Sequence, residues 1–226
     1  MCAIVGSFDK SKLIELIELN SYRGSHSYSF AVYDTAGHLV IKKQGLGSIN
    51  HDDIDMLPGY YGIVHVQAPT TDSKTTDSIH PAISLIERTF VKDKYTTYKW
   101  PDTCLWHNGI VKDDCVKRLQ EEQETKVSWD TALLLDEVDR GWSNLNRVDG
   151  SFSCLYYNNG RLYLFRNDIS PMFVDEHLNI SSTKFEGSVA TQSNIVWLVD
   201  TYHRTLHKLS EFKTVENPYF FEDELA

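Results

Sequence analysis

Cys2 stands directly behind Met1 in the stretch MCAIVG, and its chemistry depends on that position. Once Met1 is removed, the thiol has its own α-amine beside it. Such an amine titrates near pH ~7.7–8.0 and can take up the thiol proton directly or through a water. The plain alternative is a small apolar side chain opening a buried strand. Cys104, Cys115 and Cys154 form no C-x-x-C pair with it or with one another, so neither a thioredoxin-like nor a cysteine-rich zinc motif is present. Of the nine histidines, His203 and His207 have the best ligand spacing, four residues apart. Their flanks, IVWLVD and HKLSEF, read as strands, which puts the pair around a turn with no carboxylate at a useful spacing. No metal and no cofactor is expected.

The elements that position these groups follow from pattern. CAIVGSF (2–8) is an apolar run bounded by charge, a buried strand. Leu13, Ile14, Leu16, Ile17 and Asn20 form a helical stripe, with Gly24 as its stop. YSFAVYD (28–34) and HLVIKKQGLG (38–47) are strands around the turn TAG, and GIVHVQA (62–68) is another. Residues 69–80, rich in Thr, Ser and Asp, form a polar loop behind that strand, the kind of place where sites are built. TCLWHNGIV (103–111) is a strand running into a turn at Asn108-Gly109. KDDCVKRLQEEQE is helical in composition. SWDTALLLDEVDRGW is an amphipathic helix that starts near Ser128 or Asp130 and ends near Gly141. GSFSCLYY and RLYLFRN make a hairpin around Asn158-Asn159-Gly160. FVDEHLNISST and IVWLVDTYHRTLHKL read as two more hairpins, and NPYFFEDELA as a surface tail. Trp106, Trp142 and Trp197 are core or rim aromatics. Strands outnumber helices and hairpins dominate, so the expected class is α+β with mostly antiparallel sheets, in one domain over 1–226.

Bulk properties narrow the partners. The 226 residues carry a net charge of −10, with 41% hydrophobic and 24% charged residues. That is enough chain to bury a core without disulfides. Nucleic acid and anionic membranes want a basic face, so neither is an expected partner. No apolar run reaches membrane-span length, no signal peptide is read, and free thiols suit a reducing cytoplasm.

The order of the segments carries a resemblance. MCAIVG resembles the MCGIVG start of class II glutamine amidotransferases, the N-terminal-nucleophile (Ntn) family. SYRGSHSYSFAVYDTAGHL resembles their YRGYDSAGLAV, GIVHVQAPTT their GHTRWATHG, SIHPA their AHPH and WHNGIV their VHNGII. SWDTALLLDEV is similar to SDTEVI, and DGSFSCLYY, LFRNDISPMFV and SSTKF follow in family order. The similar segments span residues 2–185, with 186–226 as an extension, and are most like the glutaminase domain of glucosamine-6-phosphate synthase.

The resemblance implies a four-layer αββα sandwich, the Ntn-hydrolase fold, and glutamine or a related amide as substrate. It implies that Cys2 attacks the side-chain amide, ammonia leaves, and water cleaves the thioester. Asn108 and Gly109 would hold the oxyanion, and Asp130, also suited to capping its helix, the substrate ammonium. Gln67 stands where the family has an arginine for the substrate carboxylate, which removes a charge-assisted bond worth about 1.5–3 kcal/mol. Thr70, Thr71 and His80 would line the pocket. Arg23 or Lys74 would replace the missing cation, Arg23 being otherwise a structural arginine under the site. Ala3 replaces a family glycine and would narrow the pocket with its methyl. No synthetase-sized segment follows residue 185, so ammonia is expected to pass to a separate synthetase. The alternatives are a stand-alone hydrolase of another γ-glutamyl-type amide, which Gln67 favours, and an inactive binding protein of the same fold.

Overall fold

In the computed structural model, which describes residues 2–68, 78–92, 95–213 and 215, β1 (Ala3–Ser7) is buried along its whole length. It pairs antiparallel with β4 (Tyr61–Gln67), and β4 pairs in turn with β2 (Ser27–Tyr33). β2 turns back into β3 (Leu39–Leu46), as the TAG turn predicts. The hairpin of β7 (Gly150–Asn158) and β8 (Arg161–Arg166) closes through Asn159 and Gly160, both at positive φ. That is the backbone a two-residue hairpin turn demands, which is why Asn-Gly is found there.

Residues 82–92 and 95–102, to which the sequence patterns assign no element, are strand, and they form the longest ribbon among the described residues. β5 (Ala82–Lys92) pairs with β6 (Tyr95–Val111). β6 runs straight through Asn108-Gly109, so the expected turn there is a strand. Gly109 sits opposite Phe152 of β7, at φ 154°. A Cβ at Gly109 would lie 1.9 Å from the Ser151 carbonyl oxygen. The glycine answers a close backbone approach, not a chain reversal.

Three short strands, β9 (Phe173–Val174), β10 (Ile180–Ser181) and β11 (Val189–Ala190), extend the sheet beyond β1. The hairpin of β12 (Ile195–Asp200) and β13 (Thr205–Glu211) forms the other edge. All described strands belong to one antiparallel sheet, in the order β11-β9-β10-β1-β4-β2-β3-β6-β7-β8-β12-β13, with β5 on β6.

Side-chain alternation divides the core into three. Ile4, Ala31, Ile63, Trp106, Leu155 and Leu164 come from strands of both halves of the sheet yet pack in one cluster, so the sheet curls over on itself. On the other face of β1, β2 and β4, Ala3, Val5, Phe30 and Val64 pack under α1 (Lys10–Leu19). On the other face of β6 to β8, Phe152, Cys154 and Phe165 pack against Leu119 of α2 (Asp113–Glu122) and Leu133, Leu134 and Val138 of α3 (Asp130–Arg140).

Helix α1 buries Leu13, Leu16 and Ile17, as its stripe predicts. Its stop is Asn20, whose side chain donates to the Leu16 carbonyl and to Ser181 Oγ. Gly24, expected to end the helix, has another role. A Cβ there would fall 2.3 Å from the Gln67 carbonyl carbon, so the glycine lets residues 21–26 lie against the end of β4. Among the described residues no helix is long and apolar enough to cross a membrane. The segment 217–226 lies outside the described residues.

Candidate functional site

Strand register places the chemistry. Ala3 faces Val66, Ile4 faces His65, and His65 faces Ser29 across β2. Period-2 alternation therefore sets Cys2, His65 and Gln67 on the inner face of the curled sheet, while Ala3 points into the core under α1. The methyl of Ala3 fills that core and does not narrow the pocket beside Cys2.

Cys2 is buried, at 7% exposure. Burial raises its thiol pKa, while a hydrogen bond from the Ala68 amide and the nearby Arg23 guanidinium act the other way and Asp130 adds to the rise. Arg23 Nη1 lies 3.5 Å from the Cys2 carbonyl oxygen, and its guanidinium lies over the Tyr22 ring. Among the described residues no carboxylate pairs with Arg23.

Three histidines, on three elements, gather behind the thiol. His65 and His80 stack with centroids 4.1 Å apart, and Trp129 stands edge-on to His80. One donor atom each from Cys2, His65 and His80 lies within 4.8 Å of the other two. His65 Nε2 donates to the His107 carbonyl at 3.1 Å, and the His107 amide donates to His80 Nδ1 at 3.3 Å. His107 itself donates from Nε2 to the Ser151 carbonyl, and its Nδ1 is hydrogen-bonded to Thr131 Oγ1 at 3.1 Å. Burial holds His65 neutral, with its pKa pushed down to about 3, and pushes His80 well below its ordinary value. The remaining nitrogen of His65, Nδ1, is buried and has no hydrogen-bond partner among the described residues.

Asn108 follows His107 on β6, at 6% exposure. Asp130 opens α3. Its carboxylate accepts from the Val111 amide at 3.1 Å and from the Thr131 amide at 2.7 Å, which ties the end of β6 to the helix start. The helix cap position is Trp129, so Asp130 is the first helical residue and not the cap.

Gln67 is held on both sides. Its Oε1 accepts from Ser27 Oγ at 2.9 Å, and its Nε2 donates to the Ser78 carbonyl at 3.0 Å. The side chain is 6% exposed. It pins the two ends of the segment after β4 to β2, and a ligand would have to compete for it. Thr70, Thr71 and Lys74 lie outside the described residues.

The structure thus brings Cys2, Arg23, His80 and Asp130 together, with Gln67 beside them and Asn108 and Gly109 on β6, which packs against β1 across the curled sheet. The list drawn from sequence omits His65 and His107, although both lie inside the quoted stretches GIVHVQA and WHNGIV. At the far edge, His203 and His207 do flank a turn, as expected. The missing carboxylate is there, however: Asp200 Oδ2 lies 2.8 Å from His203 Nδ1 and 3.4 Å from His207 Nε2.

No protein-family model matches the chain, and no curated protein matches it. Solved structures do. Glutamine phosphoribosylpyrophosphate amidotransferase from B. subtilis aligns with a TM-score of 0.61 at 14% identity, over 93% of this chain and 49% of that one. A structure described as the allosteric regulatory enzyme of purine biosynthesis aligns with a TM-score of 0.62 at 15% identity, over the same shares. The chain spans about half the length of these structures. Neither is a glucosamine-6-phosphate synthase, so that narrower resemblance rests on the sequence segments alone. What the comparisons establish is the fold: this chain has the curled antiparallel sheet of glutamine amidotransferase structures.

Proposed function

We propose that residues 1–226 form one glutaminase-type domain of the class II kind, with the three cores as the packing of a four-layer αββα sandwich. The observation that carries the reading is the seat of Cys2. A buried thiol stands at the head of β1, accepts from the Ala68 amide, and lies on the inner face of the curled sheet, across which β6 with Asn108 and Gly109 packs. The fold shared with the amidotransferase structures supports it.

Removal of Met1 frees the Cys2 α-amine, which takes the thiol proton. Sγ attacks the side-chain carbonyl carbon of glutamine. The C–N bond breaks, the proton passes to the leaving nitrogen, and ammonia departs. Water then cleaves the γ-glutamyl thioester to glutamate and free thiol. The Asn108 amide and the Gly109 N–H hold the oxyanion, each donor contributing a few kcal/mol, about 3. Asp130 holds the substrate ammonium. Arg23 supplies the cation for the carboxylate, because Gln67 has none and is already bound on both sides. The ammonia passes to a synthetase partner outside these residues, in the cytoplasm.

Intact-mass analysis after treatment with a glutamine-analogue electrophile tests this. The expected product lacks Met1 and carries one adduct on Cys2, and Cys2→Ala carries none. Retention of Met1 with no adduct overturns the reading and leaves a binding protein of the same fold. Gln67 favours a second reading, hydrolysis of another γ-glutamyl amide. A panel of amides assayed against wild type and Cys2→Ala separates the two.

A further inference from the structure

We propose that Cys2, His65 and His80 form a site for a divalent transition metal of zinc type, which holds the thiol in a reversibly blocked state. The three side chains come from β1, β4 and the segment before β5, so no spacing in the sequence announces them. All three are buried, and their donor atoms already lie within 4.8 Å of one another. Tetrahedral zinc with one sulfur and two nitrogen ligands needs separations of about 3.4–3.6 Å, from Zn–S of about 2.3 Å and Zn–N of about 2.0–2.1 Å. Closing the cluster takes a movement of roughly 1 Å.

The unpartnered nitrogen of His65 is the second, independent sign. Its Nε2–H is held by the His107 carbonyl, which leaves Nδ1 as a buried lone pair with no hydrogen-bond donor among the described residues. A metal-bound histidine commonly donates its other ring N–H to a backbone carbonyl, and His65 is arranged that way without the metal. Buried polar atoms without a partner are rare, and this one sits in a cluster that can use it. His80 is less prepared. Bound through Nδ1 it gives up the 3.3 Å contact from the His107 amide, and bound through Nε2 its Nδ1 carries the proton and faces that N–H donor, so this long bond is lost either way. One cysteine and two histidines make a borderline-soft set suited to zinc, and with three protein ligands a fourth position stays open.

On binding, the Cys2 S–H bond breaks, the proton leaves to solvent, and a sulfur–metal bond forms. The thiolate electron pair then belongs to the metal, so ligation and attack on an amide exclude each other. This inference does not rest on the glutaminase reading, since a buried Cys-His-His site binds metal whether or not the protein cleaves an amide.

The test uses the full chain, stripped with a chelator and then titrated with Co2+ alone and Zn2+ alone. One equivalent of Co2+ should give a sulfur-to-cobalt charge-transfer band and the visible bands of a tetrahedral ion. Cys2→Ser should lose the charge-transfer band, and His65→Gln should weaken Co2+ binding at least tenfold while Gln keeps an N–H for the His107 carbonyl. On the wild-type chain, where folding is not in question, one equivalent of Zn2+ should slow iodoacetamide alkylation of Cys2 at least tenfold, and chelator should restore it. Co2+ bound without a charge-transfer band, for example at Asp200, His203 and His207, overturns the proposal. So does Cys2 alkylation indifferent to Zn2+.

Discussion

The two walls of the candidate site are built differently. One is the end of β6 with the start of α3, where His107, Asn108, Gly109 and Asp130 follow from backbone constraint. Strand pairing fixes the residues of β6, His107 bonds to Thr131 and Ser151, and Asp130 joins strand to helix. The other is the end of β4, where one side chain, Gln67, spans from Ser27 to Ser78. The first wall admits few residue types at each position. The second rests on a single amide that many side chains could replace at moderate cost. Chemistry placed on the first wall is held by backbone geometry, and specificity placed on the second hangs on one side chain.

The sharpest way to break this contrast is at Gly109. Gly109→Ala puts a methyl 1.9 Å from the Ser151 carbonyl oxygen and 2.8 Å from His107 Nε2, at φ 154°. Such a clash falls in the class of substitutions costing more than about 4 kcal/mol. Chemical denaturation should show that loss, or the protein should not accumulate folded. Gly47→Ala is the control: φ is also positive, 89°, but nothing lies within 4 Å of the added carbon. It should cost only about 1 kcal/mol. Equal effects at the two sites would remove the case for a rigid wall.

At Arg23 the expected effect is on binding. If Arg23 holds the substrate carboxylate, Arg23→Ala loses a charge-assisted bond worth about 1.5–3 kcal/mol, a rise in KM for glutamine of roughly 10- to 100-fold. The KM should respond more than kcat, and denaturation midpoints should move little, because among the described residues the guanidinium bonds only the Cys2 carbonyl and Tyr22, both at 3.5 Å. A stability loss with unchanged KM would make Arg23 a structural residue under Cys2.

Gln67→Ala separates structure from recognition at the second wall. It strands the Ser27 hydroxyl and the Ser78 carbonyl, for a cost of about 1–3 kcal/mol in stability. If Gln67 only pins the segment, glutamine KM should change less than stability does. A KM rise as large as that of Arg23→Ala would make it a ligand after all.

The sequence was informative where one local rule decided the outcome. An apolar run bounded by charge marked β1, alternation marked β2, the apolar stretch GIVHVQA marked β4, the 3.6-residue stripe marked α1 and α3, and Asn159-Gly160 marked its hairpin. It misled at Asn108-Gly109, because Asn-Gly favours a turn and the close approach of Ser151 is a tertiary fact. It was silent over 82–102, where β5 gains its identity from pairing with β6. The site divides along the same line. Cys2, Asn108 and Asp130 were legible from their segments, whereas the cluster of His65 and His80 behind the thiol exists only once the sheet has curled. Asp200, between His203 and His207, was overlooked because the spacing was judged along a helix while the residues meet across a hairpin.

That hairpin offers the mildest contrast, a polar cluster in water set against the buried one. The His203 amide donates to Asp200, its ring follows, and together they lower the carboxylate pKa to about 2. Unfolded, the group titrates near ~3.9. A carboxylate with a depressed native pKa stabilises the fold fully above its unfolded pKa, and the contribution fades as pH falls through the native one. Asp200→Asn should therefore lower Tm slightly at pH 5–7, by roughly 1–2 °C for an exposed pair, and the gap to wild type should close between about pH 4 and 2. Salt should shrink it, since exposed charges are screened. A gap that persists unchanged to pH 2 would rule out charge as its cause, since the Tyr202 and His203 amide bonds, which an asparagine oxygen also accepts, are common to both proteins.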